Sequence, residues 1–240
     1  MSGNLTDENI KFLVEKAKDI RISIIESLVS AGSGHSAGPL GMADIFAALY
    51  FFILRHDPKK PDWEDRDRLI LSNGHINPVL YATMAHAGYF PVKELLTLRK
   101  FGTRLQGHPH REFLPMLETS SGPLGCGLSQ AVGMALADRI DKGKSSDRFF
   151  YCLLGDGELN EGMNWEAAML ASKEKLGNLI AIVDRNNIQI DGYTDDVMPL
   201  GNVAHKFEAF GWHAEEINGH DFQEIVSAVG RGQAVFDGPS

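Results

Sequence analysis

The chain has 240 residues, 43% hydrophobic and 23% charged, with 32 acidic against 23 basic side chains and a formal charge of −9. With no run of Lys and Arg, that balance excludes the footprint of a nucleic-acid or anionic-membrane binder and points to a protein or small-molecule partner. Two cysteines, Cys126 and Cys152, exclude a disulfide framework and suggest a reducing compartment.

In chain order, residues 1–21 scatter their charges and lack a signal peptide's apolar core. Thr6 reads as an N-cap. Ile10, Leu13, Val14, Ala17, Ile20 and Ile24 recur at helical spacing and predict a helix to about Ser30. Residues 31–41 are too rich in glycine for either regular element, and helix resumes from about Met42 to Leu54. The apolar run Ile45 to Leu54 is roughly half of a membrane span, so a cytoplasmic, soluble protein is expected. Arg68 to Ser72 reads as a strand closed by the turn Asn73-Gly-His75, with a helix to about Gly88. Residues 102–127 form a long loop region dense in Gly, Pro and His, of the kind that is functional or disordered. Leu128 to Ile140 is helical. Arg148 to Leu154 is a strand apolar on both faces, followed by Gly155-Asp156-Gly157, a helix from about Asn160 to Lys175, and a second buried strand, Asn178 to Asp184. Strand, helix, strand at this spacing is a βαβ unit in an α/β fold. With no repeat or linker in the sequence, a single domain is expected.

In a right-handed βαβ unit both strands end at the same sheet edge, where ligands of open α/β sheets bind. Asp156 and Asn186 therefore converge although thirty positions apart. A carboxylate and an amide oxygen are hard ligands suited to Mg2+, which completes its shell with phosphates, carbonyls and water. Gly155 and Gly157 admit a bulky anion close to the backbone, and the following helix adds N-terminal amides.

Gly155-Asp-Gly-Glu-Leu-Asn-Glu-Gly162 followed by Leu179-Ile-Ala-Ile-Val-Asp-Arg-Asn-Asn-Ile-Gln-Ile-Asp-Gly192 resembles the thiamine diphosphate motif of transketolases. Ser33-Gly-His35 with Gly38-Pro-Leu-Gly-Met42, Leu71-Ser-Asn-Gly-His75, and Gly107-His-Pro109 leading to Ser121-Gly-Pro-Leu-Gly125 agree with it, in the family's order over about residues 10 to 230. The resemblance implies a three-layer thiamine-diphosphate-binding fold, a mostly parallel sheet flanked by helices, lacking its last strand after Val235. It implies thiamine diphosphate and Mg2+, or another divalent ion such as Ca2+ or Mn2+, as cofactors.

By the same resemblance, Asp156, Asn186 and the main-chain carbonyl of Ile188 hold the metal. Gly157 and His75 contact the diphosphate, while Gly122, Leu124 and Ile190 line the cofactor rings. For Leu124 and Ile190, ordinary core packing is the competing expectation. His35 and His108 face the sugar phosphate substrates, whose hydroxyl protons must move near neutral pH, a task that suits imidazole. Glu161 is either a subunit-interface residue linked to cofactor activation or a first-turn helix glutamate favoured by the dipole. His108-Pro-His110 lacks the companions of a zinc site. His56, His86, His205, His213 and His220 receive no role. Ser36, Cys126 and His110 depart from the family pattern, and His110 puts the sugar preference in doubt.

The family places the glutamate that activates the cofactor on a pyrimidine-binding domain for which this chain has no room. The expectation is an N-terminal subunit of a split transketolase, active with a C-terminal partner subunit in a dimer of heterodimers. The alternatives are another thiamine diphosphate enzyme (1-deoxyxylulose-5-phosphate synthase, phosphoketolase or 2-oxoacid dehydrogenase type) and a non-catalytic binding or regulatory paralogue.

Overall fold

In the computed structural model, which describes residues 5–143, 146–190 and 192–240, Thr6 caps the first helix, α1 (Asp7–Ala31). Thr6 Oγ1 accepts the Asn9 N–H at 3.2 Å and Asn9 Oδ1 accepts the Thr6 N–H at 3.2 Å, so two of the orphan donors at the helix start are satisfied reciprocally. Gly32, at φ 68, ends the helix in the left-handed region.

Two compact units follow from the chain's internal contacts: Met1–Arg66, Gly74–Gly122 and Ile217–Ser227 form one, and Asp67–Asn73, Pro123–Glu216 and Ala228–Ser240 form the other. The first is helical. Leu13, Ile20 and Ile24 of α1 are buried together with Phe46 and Leu49, and with Val79, Tyr81 and Met84 of α4 (Asn77–Ala87). Each such side chain contributes roughly 1.5–3 kcal/mol on burial. Arg21 grips Asp44 through two hydrogen bonds of 2.9 and 2.6 Å, and His220 Nδ1 lies 2.8 Å from Asp44 Oδ2.

Two expectations are corrected in this unit. The glycine-rich loop contains a short helix, α2 (Ala37–Gly41), because Gly38 lets the turn lie against Ile76; a Cβ there would stand 2.7 Å from Ile76 Cγ2. The helix expected from Met42 to Leu54 is α3 (Ala43–Ala48) followed by a π-helical turn, Leu49–Ile53, closed by Leu54 N–H to the Leu49 carbonyl at 2.8 Å. The Tyr50 carbonyl takes His56 Nε2 at 2.7 Å; a carbonyl can only accept, so Nε2 carries the proton and Nδ1 faces Tyr89 Oη at 3.0 Å.

The second unit carries a parallel sheet of β1 (Arg68–Leu71), β2 (Phe150–Gly155) and β3 (Leu179–Asp184), in that order. Its central strand is buried on both faces, as the unbroken apolar run predicts. The core packs Ile70, Cys152 and Leu154 with α5 (Cys126–Lys142), α6 (Gly162–Lys173), α8 (Val203–Ala209) and Trp212, whose indole N–H donates to the Ala168 carbonyl at 3.0 Å. β2, α6 and β3 form the βαβ unit read from the sequence, although a 3-10 turn, Gly157–Asn160, precedes the helix. After β3 comes a hairpin the sequence did not announce, β4 (Ile188–Gln189) and β5 (Gly192–Tyr193), then α7 (Thr194–Val197). Helix α9 (Phe222–Gln233) follows, and Ser240 pairs with β3, its N–H to the Leu179 carbonyl and its carbonyl to the Ala181 N–H. Among the described residues no helix is long and apolar enough to cross a membrane.

Candidate active site

Register brings the ends of β2 and β3 level in the second unit, Gly155 pairing with Asp184, while β1 stops two residues short, Leu71 pairing with Leu153. Asp156 follows β2 directly and is 2% exposed. Its Oδ1 accepts the Gly157 N–H at 2.7 Å; its Oδ2 accepts the Asn187 N–H at 2.9 Å and the Thr194 hydroxyl at 3.0 Å. Asn186 makes an Asx-turn, its Oδ1 accepting the Ile188 N–H at 3.0 Å, and its amide donates to Asp184 Oδ2 at 2.9 Å. Asn187 and Ile190 are left-handed, at φ 62 and 53. Asparagine adopts that conformation readily; for a β-branched isoleucine it is strained, and such strain clusters at binding sites.

Gly157 lies against Gln189, whose Cγ would be 3.0 Å from a Cβ added at the glycine. Gln189 Oε1 and Asn73 Oδ1 are buried with no hydrogen-bond partner among the described residues. Asn73 borders Gly155, where an added Cβ would meet it at 3.8 Å. Two unpartnered amide oxygens therefore flank the glycine-aspartate loop. Leu124 and Ile190 are exposed, at 38% and 90%, which removes core packing as their explanation. Ile188 is also exposed, at 51%.

Glu158 is buried beneath this loop's own backbone. Its carboxylate accepts the Gly125 N–H at 2.7 Å, the Gly155 N–H at 3.1 Å and the Ser72 hydroxyl. Burial pushes the carboxyl above its ordinary range, the three donors pull it back, and Glu161 pushes it up again. Glu161 is the N-cap of α6 without a capping side-chain hydrogen bond, so its carboxylate is not spent on the helix start. Cys152, buried behind Glu158, has its thiol pushed well above the ordinary value, chiefly by burial.

In the first unit three glycine-flanked loops bring His35, His75 and His108 together. The His35 and His75 rings are 5.1 Å apart at 60°. Burial lowers the pKa of His75, with His35 and His108 acting in the same direction; burial, then His35 and Arg99, lowers that of His108. Neutral imidazoles result, each with one donor and one acceptor nitrogen. A Cβ on Gly122 would lie 3.9 Å from the His108 ring. Arg99, itself left-handed at φ 60, packs against Gly107 and Gly34, the neighbours of His108 and His35. His110 rests on Phe113 at 4.8 Å, with Nδ1 buried and unpartnered among the described residues.

Residues 14–240 match the family described as transketolase, thiamine diphosphate binding domain. The chain belongs to the transketolase family. The 6-deoxy-6-sulfo-D-fructose transketolase subunit SqwG of Clostridium sp. (strain MSTE9) is 44% identical over 228 residues, 95% of this chain and 82% of that protein. An apulose-4-phosphate transketolase subunit from Phocaeicola vulgatus is 42% identical over 206 residues, 86% of this chain and 72% of that protein. The crystal structure of transketolase from Campylobacter jejuni superposes with a TM-score of 0.90 at 38% identity, covering 96% of this chain and 37% of that one. The chain thus has the extent of proteins named transketolase subunits, and it spans about a third of that longer enzyme.

In this transketolase subunit the loop presents oxygens at Asp156 and Asn186, two unpartnered amide oxygens and glycines at points of close approach, a set whose chemistry fits a diphosphate with a hard divalent ion. No group of three or more His, Cys, Asp or Glu among the described residues could hold a metal, so any ion here relies on amide and main-chain oxygens as well. Sequence reading missed Thr194, Gln189 and Arg99. Gln189 lies within the recognised motif and Thr194 two residues beyond it, and that position was the available signal; nothing in the sequence singles out Arg99. His56, His86 and His220 have structural partners: Tyr89, Ser23 and Asp44 respectively.

Proposed function

We propose that this chain is the N-terminal subunit of a split transketolase, moving a two-carbon ketol unit from a ketose phosphate to an aldose phosphate. Residues 1–240 act in it as one diphosphate-binding module. What carries this reading is the match in extent: the chain spans most of two proteins that are themselves named transketolase subunits.

Asp156, Asn186 and the Ile188 carbonyl hold Mg2+, or Ca2+ or Mn2+ in its place, and Gly157 and His75 meet the diphosphate. Thiamine diphosphate, when bound, supplies the nucleophilic carbon and the electron sink. Leu124, Ile190 and Gly122 line its rings, which accounts for the exposure of the two apolar side chains. His35 and His108 exchange protons with sugar hydroxyls; burial, then the neighbouring His35 and Arg99, lower the pKa of His108 and leave its imidazole able to accept. Glu161, with its carboxylate uncommitted, lies at the interface with a second copy. The C-terminal partner subunit supplies the pyrimidine-binding domain in a dimer of heterodimers. The free cysteines suit a cytoplasmic location.

The test is a native mass of the protein isolated from its own cell extract, with the accompanying chains identified and a donor panel run on the assembly. Equal numbers of a chain with the pyrimidine-binding fold, and turnover of ketose phosphates, are expected. A homo-oligomer without a partner, or turnover of pyruvate instead, would overturn the assignment.

A further inference from the structure

Four segments of the second unit meet at one side chain. Ser72 follows β1, Gly125 caps α5, Gly155 ends β2, and Asn164 belongs to the first turn of α6. The Glu158 carboxylate accepts from the first three, and its main-chain carbonyl accepts Asn164 Nδ2 at 2.7 Å. Ser72 extends the connection, its Oγ accepting the Gly127 N–H at 3.0 Å. The packing leaves no slack: a Cβ on Gly127 would stand 2.3 Å from Ser72 Cβ, and one on Gly125, at φ +84, 2.7 Å from Glu161 Cβ. At 2% exposure the carboxylate has little access to water, so its donors are main-chain and side-chain groups of the protein.

Two of those donors are the backbone of the loops assigned to the cofactor. Gly125 follows Leu124, and Gly155 precedes Asp156. We infer that Glu158 is a positioning residue, one carboxylate that locks the Leu124–Gly125 turn to the Gly155–Asp156–Gly157 loop so that ring contacts and diphosphate contacts are held at a fixed spacing before the cofactor arrives. The inference rests on the reading that both loops serve thiamine diphosphate. Pre-organisation of this kind acts on affinity, because the ordering cost is met in the free protein. The chemistry matters: a carboxylate has enough acceptor sites for two N–H groups and a hydroxyl at once, whereas an amide oxygen has fewer and its NH2 would oppose one of the donors.

The experiment compares Glu158→Ala, Glu158→Gln and Asp156→Ala in the assembly isolated with its accompanying chains. Thiamine diphosphate with Mg2+ is titrated by tryptophan fluorescence, and amide hydrogen exchange is followed at Gly125 and Gly155 without cofactor. Glu158→Ala is expected to weaken cofactor binding about tenfold or more and to speed exchange at both glycines, from the loss of charge-assisted hydrogen bonds. Glu158→Gln recovers part of each effect. At saturating cofactor kcat and the sugar KM stay near wild type, which a general loss of structure would not allow. Normal binding in Glu158→Ala with lost binding in Asp156→Ala would overturn the positioning role and leave the cofactor site standing. Normal binding in both would overturn the cofactor site itself. Should Glu158→Ala fail to fold, Ser72→Ala withdraws one donor and keeps the charge. Several-fold weaker binding with faster Gly127 exchange then supports the inference, and unchanged values overturn it.

Discussion

Asp156 accepts the main-chain N–H of Asn187 at 2.9 Å across 31 positions of sequence. That bond ties the end of β2 to the loop after β3, and it exists because two parallel strands deliver their carboxyl ends to one sheet edge. Replacing Asp156 removes both a candidate metal ligand and the anchor of its neighbouring loop. Asp156→Ala should lower affinity for thiamine diphosphate with Mg2+ by at least about a hundredfold, a loss of about 2.7 kcal/mol, measured by calorimetric titration. Wild-type affinity in this variant would remove the metal assignment.

Thr194 donates to the same carboxylate at 3.0 Å while being 3% exposed. Thr194→Val keeps the shape and deletes the donor. A three- to tenfold weaker cofactor is expected, in line with about 0.5–1.5 kcal/mol for one hydrogen bond. The check is the same titration, with thermal melting to show that the fold persists.

His75 and His108 should make the apo protein sensitive to mild acid. Their native pKa values lie below the ordinary one, so as pH falls the unfolded chain takes up protons that the native state refuses. The stability is full above about pH 6.5 and declines as pH drops from there through the lowered native values. His75→Asn with His108→Asn should flatten urea-measured stability over that window. An unchanged slope would mean that the rings are hydrated in solution.

Gly125 and Gly162 offer a paired test of backbone constraint. Gly125 is left-handed and its Cβ would collide with Glu161, whereas Gly162, in the first turn of α6, has open space. Gly125→Ala should cost about 2–4 kcal/mol from strain and overpacking. Gly162→Ala should add about 0.5–1 kcal/mol through helix propensity. Denaturant melts of both settle the ordering, and equal effects would contradict the close contact at Gly125.

Trp212 anchors the second unit's core through the Ala168 carbonyl and an edge contact with Phe207, with ring centroids 5.3 Å apart. Trp212→Phe leaves that carbonyl without its donor and opens space beside it. A loss of about 1–3 kcal/mol is expected in equilibrium unfolding.

Strand-scale features were legible in the sequence alone. The unbroken apolar runs of β2 and β3, the glycine-aspartate loop and the Asn186-Asn187 terminus determined a parallel pair with a polar edge, because apolar periodicity and turn chemistry are local properties. The histidine loops were equally visible, as was the resemblance that they carry. Tertiary structure alone decided the rest. Glu158 looks in sequence like a surface residue after a turn, yet the packing of Gly125, Gly155 and Ser72 around it makes it a buried junction. Nor does the sequence reveal the left-handed turns at Asn187 and Ile190, which close a hairpin onto Asp156, or the π-helical end of the helix at Leu49. Such features depend on which donors reach which acceptors across tens of residues. That is fixed by strand register and helix packing, not by local propensity.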